Sequence, residues 1–127
     1  MGAFKLTISV LPQDLSVCRF GSNDAPKLPE RGFYSITKTA DELSVVCESD
    51  AIPPNCPKVE KGWRALKVEG PLDFSLTGIL ASLATPLAEA GISIFAISTY
   101  DTDYVLVKSE NLPGAVEVLG RFCDVRS

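Results

Sequence analysis

The sequence predicts an α+β fold in which antiparallel sheets carry helices on one face. Three observations lead there. Short stretches that alternate apolar and polar residues recur along the 127-residue chain, the period-two signature of half-buried strands. Two longer stretches place apolar residues at steps of three and four, the stripe of an amphipathic helix. Their order, strand-helix-strand-strand on both sides of a proline-rich gap, is that of a small unit used twice.

Residues 4–10 (FKLTISV) alternate cleanly and predict a strand. Residues 12–20 (PQDLSVCRF) fit a short helix with Pro12 in its first turn, where a missing N–H costs little. Residues 21–32 are a loop by composition. FYSITKT and LSVVCES are two strands of a hairpin joined across Ala40, Asp41 and Glu42. Residues 50–62 hold Pro53, Pro54 and Pro57 and form the natural linker.

Beyond the linker, WRALKVEG predicts a strand, with Trp63 as a core or interface anchor. A helix follows a Gly-Pro loop, with Asp73 placed to cap it and Leu76, Ile79, Leu80, Leu83 and Leu87 on one face. Gly78 inside that helix costs roughly 1 kcal/mol relative to Ala and invites a packing reason. Pro86 ends or kinks the helix, and Gly91 supplies the left-handed residue that closes it. The strands ISIFAIST and YVLVK come next, around an acidic turn. Asn111 is placed to cap a second helix, LPGAVEVLGRF, with Leu112, Ala115, Val116, Leu119 and Phe122 on one face. CDVRS is a short final strand.

The expected division is therefore residues 1–58, a reduced βαββ half, and residues 59–127, a complete βαββαβ unit of ferredoxin-like topology. Units this small need a neighbour to cover the open sheet face, so the halves pack together or pair between chains.

Composition removes several classes of function. The net charge is −4 and the twelve Lys and Arg are scattered, whereas nucleic-acid backbones are bound by clustered cations. There is no histidine, the usual general base and commonest metal ligand. Cys18, Cys47, Cys56 and Cys123 lack C-x-x-C spacing, so neither a zinc site nor another cofactor is expected, and Cys18 and Cys47 fit small buried hydrophobes. No Ser or Cys stands beside a base, so no catalytic residue is expected. No stretch has the length and apolarity of a membrane span or a secretory core, which predicts a cytoplasmic protein.

Trp63-Arg64-Ala65-Leu66, Gly78-Ile79-Leu80, Pro86-Leu87-Ala88, Gly91-Ile92-Ser93 and, above all, residues 97–104 (ISTYDTDY) with Leu106-Val107 resemble the ACT-domain family of small-molecule regulatory modules. Within it the chain is similar to the free-standing ACT pairs related to the CASTOR arginine sensors and to aspartate-kinase regulatory domains. The likeness is specific over about residues 60–120; over the first half it rests on strand order and the YSITKTADELSVV hairpin.

The resemblance implies a non-catalytic module, a homodimer that binds an amino acid where two ACT units meet edge to edge. It implies one wall made of Asp73, Phe74, Ser75, Gly78 and Leu80, closed by Tyr100 and Asp103, and a second wall made of Gly91, Ile92, Ser93 and Ile94 of the partner unit. Backbone N–H groups at a helix or strand start suit an α-carboxylate, and Asp103 suits an ammonium or guanidinium group. Asp103 and Asp101 equally fit turn residues whose side chains bond their own backbone. The arginine sensors carry an extra carboxylate near the helix start, where this chain has Leu76 or the neighbouring Ser75, so the resemblance leaves open which amino acid is bound. A structural subunit that binds another protein and no amino acid is the other reading the sequence leaves.

Overall fold

The computed structural model describes residues 6–70 and 78–127. Its strands are β1 (Thr7–Val10), β2 (Leu15–Phe20), β3 (Tyr34–Lys38), β4 (Leu43–Glu48), β5 (Lys58–Val68), β6 (Ile94–Ser98), β7 (Asp103–Lys108) and β8 (Asp124–Arg126). Its helices are α1 (Ile79–Glu89) and α2 (Leu112–Gly120). The fold is α+β, as the alternation of periods predicts. The chain divides into two compact units, residues 13–63 and the residues on either side of them. The boundary expected at 58/59 thus falls at the first residue of β5, and β1 belongs with the later unit.

In the unit of residues 13–63 the sheet order is β3-β4-β2 followed by the first half of β5, all antiparallel. The helix expected over residues 12–20 is instead the strand β2. LSVCRF is short and apolar enough to fit either period, and pairing decides it: β2 runs in register with β4 from Leu15–Glu48 to Phe20–Leu43. Cys18 and Phe20 join Leu43, Val45 and Cys47 in the core of this unit, against which Ile52, Cys56 and Val59 pack. The expected linker is shortened, because Lys58 onward is already strand. The β3–β4 hairpin is as expected, and its tip is closed by Thr39, whose Oγ1 accepts from the N–H groups of Asp41 and Glu42, both at 3.1 Å.

The other unit has the sheet order β6-β7-β5-β1-β8. The elements β5-α1-β6-β7-α2-β8 follow one another as the βαββαβ reading requires, but β1 is laid between β5 and β8. It pairs antiparallel with β5 through Ile8–Val68 and parallel with β8 through Ile8–Val125. The Arg64 guanidinium fixes the departure of the chain after β1, with Nη2 donating to the Leu11 carbonyl at 2.9 Å.

The core of this unit gathers Ile8, Leu66 and Val68, Val105 and Val107, and the inner faces of both helices. Leu83 and Leu87 of α1 and Ala115 and Leu119 of α2 are buried, and Ile79, Leu80 and Leu112 pack against them from partly buried positions. Phe122, expected on the α2 stripe, lies beyond the helix end and is 40% exposed; Cys123, 3% exposed, takes the inward position. Asn111 precedes α2 in a helical conformation and makes no side-chain cap, because a 3-10 turn over Ser109–Asn111 already leads the chain into the helix.

Candidate functional site

The predicted site residues of the later unit fall at two ends of α1. Asp73, Phe74, Ser75 and Leu76 lie outside the described residues. Gly78 immediately precedes α1 with φ 76° and is left-handed, so it starts the helix instead of interrupting it. Among the described residues, a Cβ at this position would meet nothing within 4 Å. Backbone conformation, not close packing, is therefore the reason for glycine here. Gly78 O accepts from Ser82 N–H at 2.8 Å, which leaves the N–H groups of Ile79, Leu80 and Ala81 without an acceptor inside the helix.

The far end of α1 is closed as predicted. Gly91 has φ 76°; its N–H donates to Ala88 O at 3.0 Å, and Ile92 N–H donates to Leu87 O at 2.9 Å. This is the two-bond C-terminal cap, with Ile92 and Leu87 meeting in the core. Ser93 is exposed, and Ile94, partly buried, begins β6. An eleven-residue helix is about 16 Å long, so Gly78 and the Gly91–Ile94 stretch of one chain cannot contact one small ligand together.

The turn between β6 and β7 carries the remaining candidates. Thr99 N–H donates to Thr102 O at 2.8 Å, making a tight hairpin with Tyr100 and Asp101 at its tip. Tyr100 is 80% exposed. Asp103 opens β7 opposite Ser98, and Ser98 Oγ donates to Asp103 Oδ1 at 2.6 Å. The residue that holds this turn was not singled out from the sequence. Thr102, 6% exposed, donates Oγ1–H to the carbonyl oxygen of Val68 at 2.5 Å. Val68 ends β5, so the Tyr100–Asp103 region is fastened to the end of the unit from which the chain leaves for α1. The structure thus keeps Tyr100 and Asp103 near the β5 exit and sets Gly91, Ile92, Ser93 and Ile94 at the opposite end of α1. The only signal for Thr102 in the sequence is a Thr between two acids at a strand start, too common to single it out.

Other chemistry is sparse. Among the described residues no group of three or more Cys, Asp or Glu is arranged to hold a metal ion, and no helix is long and apolar enough to cross a membrane. The thiols of Cys18, Cys47 and Cys56 sit together in the unit of residues 13–63. Burial, reinforced by the neighbouring thiols, pushes Cys18 up to about 12, and burial raises Cys47 as well. Such thiols stay protonated and unreactive at neutral pH. A groove of about 350 Å³ lies between residues 27–31 and 51–54, and an acidic one of about 470 Å³ is lined by Gln13, Asp14, Glu48, Ser49 and Asp50. Neither contains a predicted site residue.

A sheet that is antiparallel except where β1 meets β8, lying against two helices, is the arrangement of a small α+β domain. The family model for the ACT domain matches residues 58–121, half of the chain, and the chain belongs to the ACT-domain family. A second model, for an N-terminal domain, matches residues 13–55. The human cytosolic arginine sensor for mTORC1 subunit 1 is 43% identical over 121 residues, spanning 90% of this chain and 37% of that protein. The bovine protein of the same name is 30% identical over 111 residues, covering 77% of this chain and 34% of its own length. The chain spans about a third of the length of these relatives. Among solved structures, a protein from Agrobacterium tumefaciens superposes with a TM-score of 0.84 at 36% identity, covering 98% of this chain and 92% of that one. The regulatory subunit of aspartate kinase from Thermus thermophilus superposes with a TM-score of 0.61 at 10% identity, covering 91% and 95%, a likeness of fold alone.

Proposed function

We propose that the chain is a non-catalytic regulatory module that binds a free amino acid where ACT units of two copies meet. The observation that carries this reading is the split of the candidate residues between the two ends of α1. A site needing both walls takes Gly78, Leu80, Tyr100 and Asp103 from one copy and Gly91, Ile92, Ser93 and Ile94 from the other. The N–H groups at the start of α1 suit the charge of an α-carboxylate. Asp103, whose Oδ1 accepts from Ser98, is a partner for the ammonium group. Asp73, Phe74 and Ser75 belong to the same wall in this reading. Ligand binding across two copies favours one arrangement of the pair, which is how such a module passes a signal to a protein partner. The named function of the sensor relatives, and their cytosolic setting, are consistent with it.

The test is thermal unfolding against each of the twenty amino acids. A ligand at 100 times its dissociation constant adds about 2.7 kcal/mol, a shift of several degrees. Asp103→Asn, which keeps an acceptor for Ser98 but removes the charge, is expected to abolish the shift without lowering the unliganded midpoint by more than a degree or two. If no amino acid stabilises the protein, the second reading holds: Asp103 serves only Ser98 and the turn, and the chain is a structural subunit that binds another protein.

A further inference from the structure

The outer strand of the unit of residues 13–63 has an unused hydrogen-bonding edge. In the β3–β4 hairpin the register pairs Lys38 with Leu43 and Tyr34 with Cys47, and Thr39 N–H donates to Glu42 O at 2.9 Å. Because antiparallel pairs alternate between bonded and non-bonded, Thr37 and Ser35 spend their main-chain groups on β4. Those of Tyr34, Ile36 and Lys38 point away from it. Among the described residues β3 has no other neighbour in the sheet. A backbone edge left bare in this way is a template for another strand.

The side chains on that edge are not those of a guarded one. Tyr34 and Ile36 are 42% and 38% exposed, and they stand opposite Cys47 and Val45, both buried. They therefore carry the apolar core of the unit out to its rim. β3 has neither proline nor bulge, and its single charge, on Lys38, is turned back to the Ser22 carbonyl at 3.0 Å.

We propose that β3 is a self-pairing edge, on which β3 of a second copy docks antiparallel about a two-fold axis through Ile36. The occupant follows from the sequence of the strand. Antiparallel pairing about Ile36 sets Ile36 against the partner's Ile36 and Tyr34 against the alkyl stem of the partner's Lys38. Both pairs are of favourable type. The same register joins the three outward-facing residues of each copy in about six ladder bonds. No other residue of the strand is charged, so no like charges oppose across the axis. A five-residue ladder covers less than the roughly 1,200 Å² of a stable interface, so the association is weak and visible only as a rise with concentration. The interface is separate from the proposed amino-acid site and does not rest on it.

The test is sedimentation equilibrium from about 10 μM to about 1 mM, the range in which an interface of this size associates. Ile36→Pro removes only an outward-facing N–H, which an edge strand tolerates, and leaves the β4 ladder intact. The mass of the wild-type protein is expected to rise with concentration, that of Ile36→Val to rise likewise, and that of Ile36→Pro to keep its low-concentration value across the range. Wild-type association in Ile36→Pro, or no rise in the wild type, overturns the proposal. Should circular dichroism show Ile36→Pro unfolded, Ile36→Lys, which opposes two like charges on the axis, decides in the same way. An amino-acid thermal shift that persists in Ile36→Pro, which loses only the β3 contact, keeps the two proposals independent; its absence from the wild type counts only against the ligand site.

Discussion

Thr102 is where a single atom ties the candidate site to the sheet, and its removal has a calculable effect. Thr102→Val keeps the shape of the side chain but deletes the hydroxyl that donates to Val68 O at 2.5 Å. The position is 6% exposed, so water does not freely replace the donor. Leaving a buried carbonyl without its partner costs about 1–3 kcal/mol. At roughly 2.1 cal/mol/K per residue, a chain of 127 residues has an unfolding entropy near 270 cal/mol/K, so each kcal/mol lowers the midpoint by about 4 °C. The expected fall is therefore about 4–11 °C by calorimetry. Thr102→Ser, which keeps the hydroxyl and loses one methyl, is expected to cost about 1 kcal/mol. A Val variant as stable as the wild type, or less damaged than the Ser variant, would show that the hydroxyl does not hold the turn.

Further outcomes follow from the cores, the thiols and the topology. Leu87→Ala, at a position with no exposure, is expected to cost about 2–5 kcal/mol, and Leu80→Ala, only partly buried, less than half as much in the same urea titration. Cys18 ionises near 9 in an open chain and is held up to about 12 in the fold. Between these values the unfolded state has lost a proton that the folded state keeps, so stability is fully present below pH 9 and falls as pH rises, by up to about 1.4 kcal/mol per pH unit for each such thiol. Urea midpoints at several alkaline pH values should decline more steeply in the wild type than in Cys18→Ala; equal slopes refute the assignment. A fragment beginning at residue 59 lacks β1, the strand between β5 and β8, and is expected to melt without a cooperative transition by circular dichroism. A sigmoidal melt would show that β1 is dispensable.

What the sequence could and could not reveal divides along physical lines. Local signals were legible: the stripe of Leu83 and Leu87, the glycine that ends α1 and the presence of both hairpins depend on residues a turn apart. The three-residue joints expected at Ala40–Glu42 and Asp101–Asp103, however, are two-residue tips at Ala40–Asp41 and Tyr100–Asp101. Gly78 was conspicuous, but a glycine required by dihedral angle and one required by close approach look alike in sequence; only its φ of 76° separates them. LSVCRF was misread because six apolar-rich residues after a proline suit both periods, and only the pairing of β2 with β4 decides. The place of β1 could not be read at all, since alternation predicts a strand and not its neighbours. The candidate site rests on family resemblance, whereas the bond between Ser98 and Asp103 depends on a register that no spacing rule fixes.

The two hairpins share one construction, and their differences separate the two proposed surfaces. Thr39 and Thr99 each donate their N–H to the carbonyl three residues on, at 2.9 and 2.8 Å. Each Oγ1 accepts the N–H of that same residue, at 3.1 and 3.3 Å. Equal tips set equal alternation, so Ile94, Ala96 and Ser98 turn their main-chain groups outward from β6 as Tyr34, Ile36 and Lys38 do from β3. The side chains then differ in kind. The β6 edge carries Ile94, Ala96 and Ser98, the last already engaged by Asp103. The β3 edge carries a ring at Tyr34 and a branched chain at Ile36, which match a second copy of themselves. The double variant Ile36→Ala with Ala96→Ile is therefore expected to weaken both surfaces at once. Self-association falls for want of the branched contact at the two-fold, and amino-acid stabilisation falls because the larger side chain introduced in place of Ala96 crowds Ile94, two residues away on the same strand face and part of the proposed wall. Loss of one property without the other would assign the unaffected edge to structure alone.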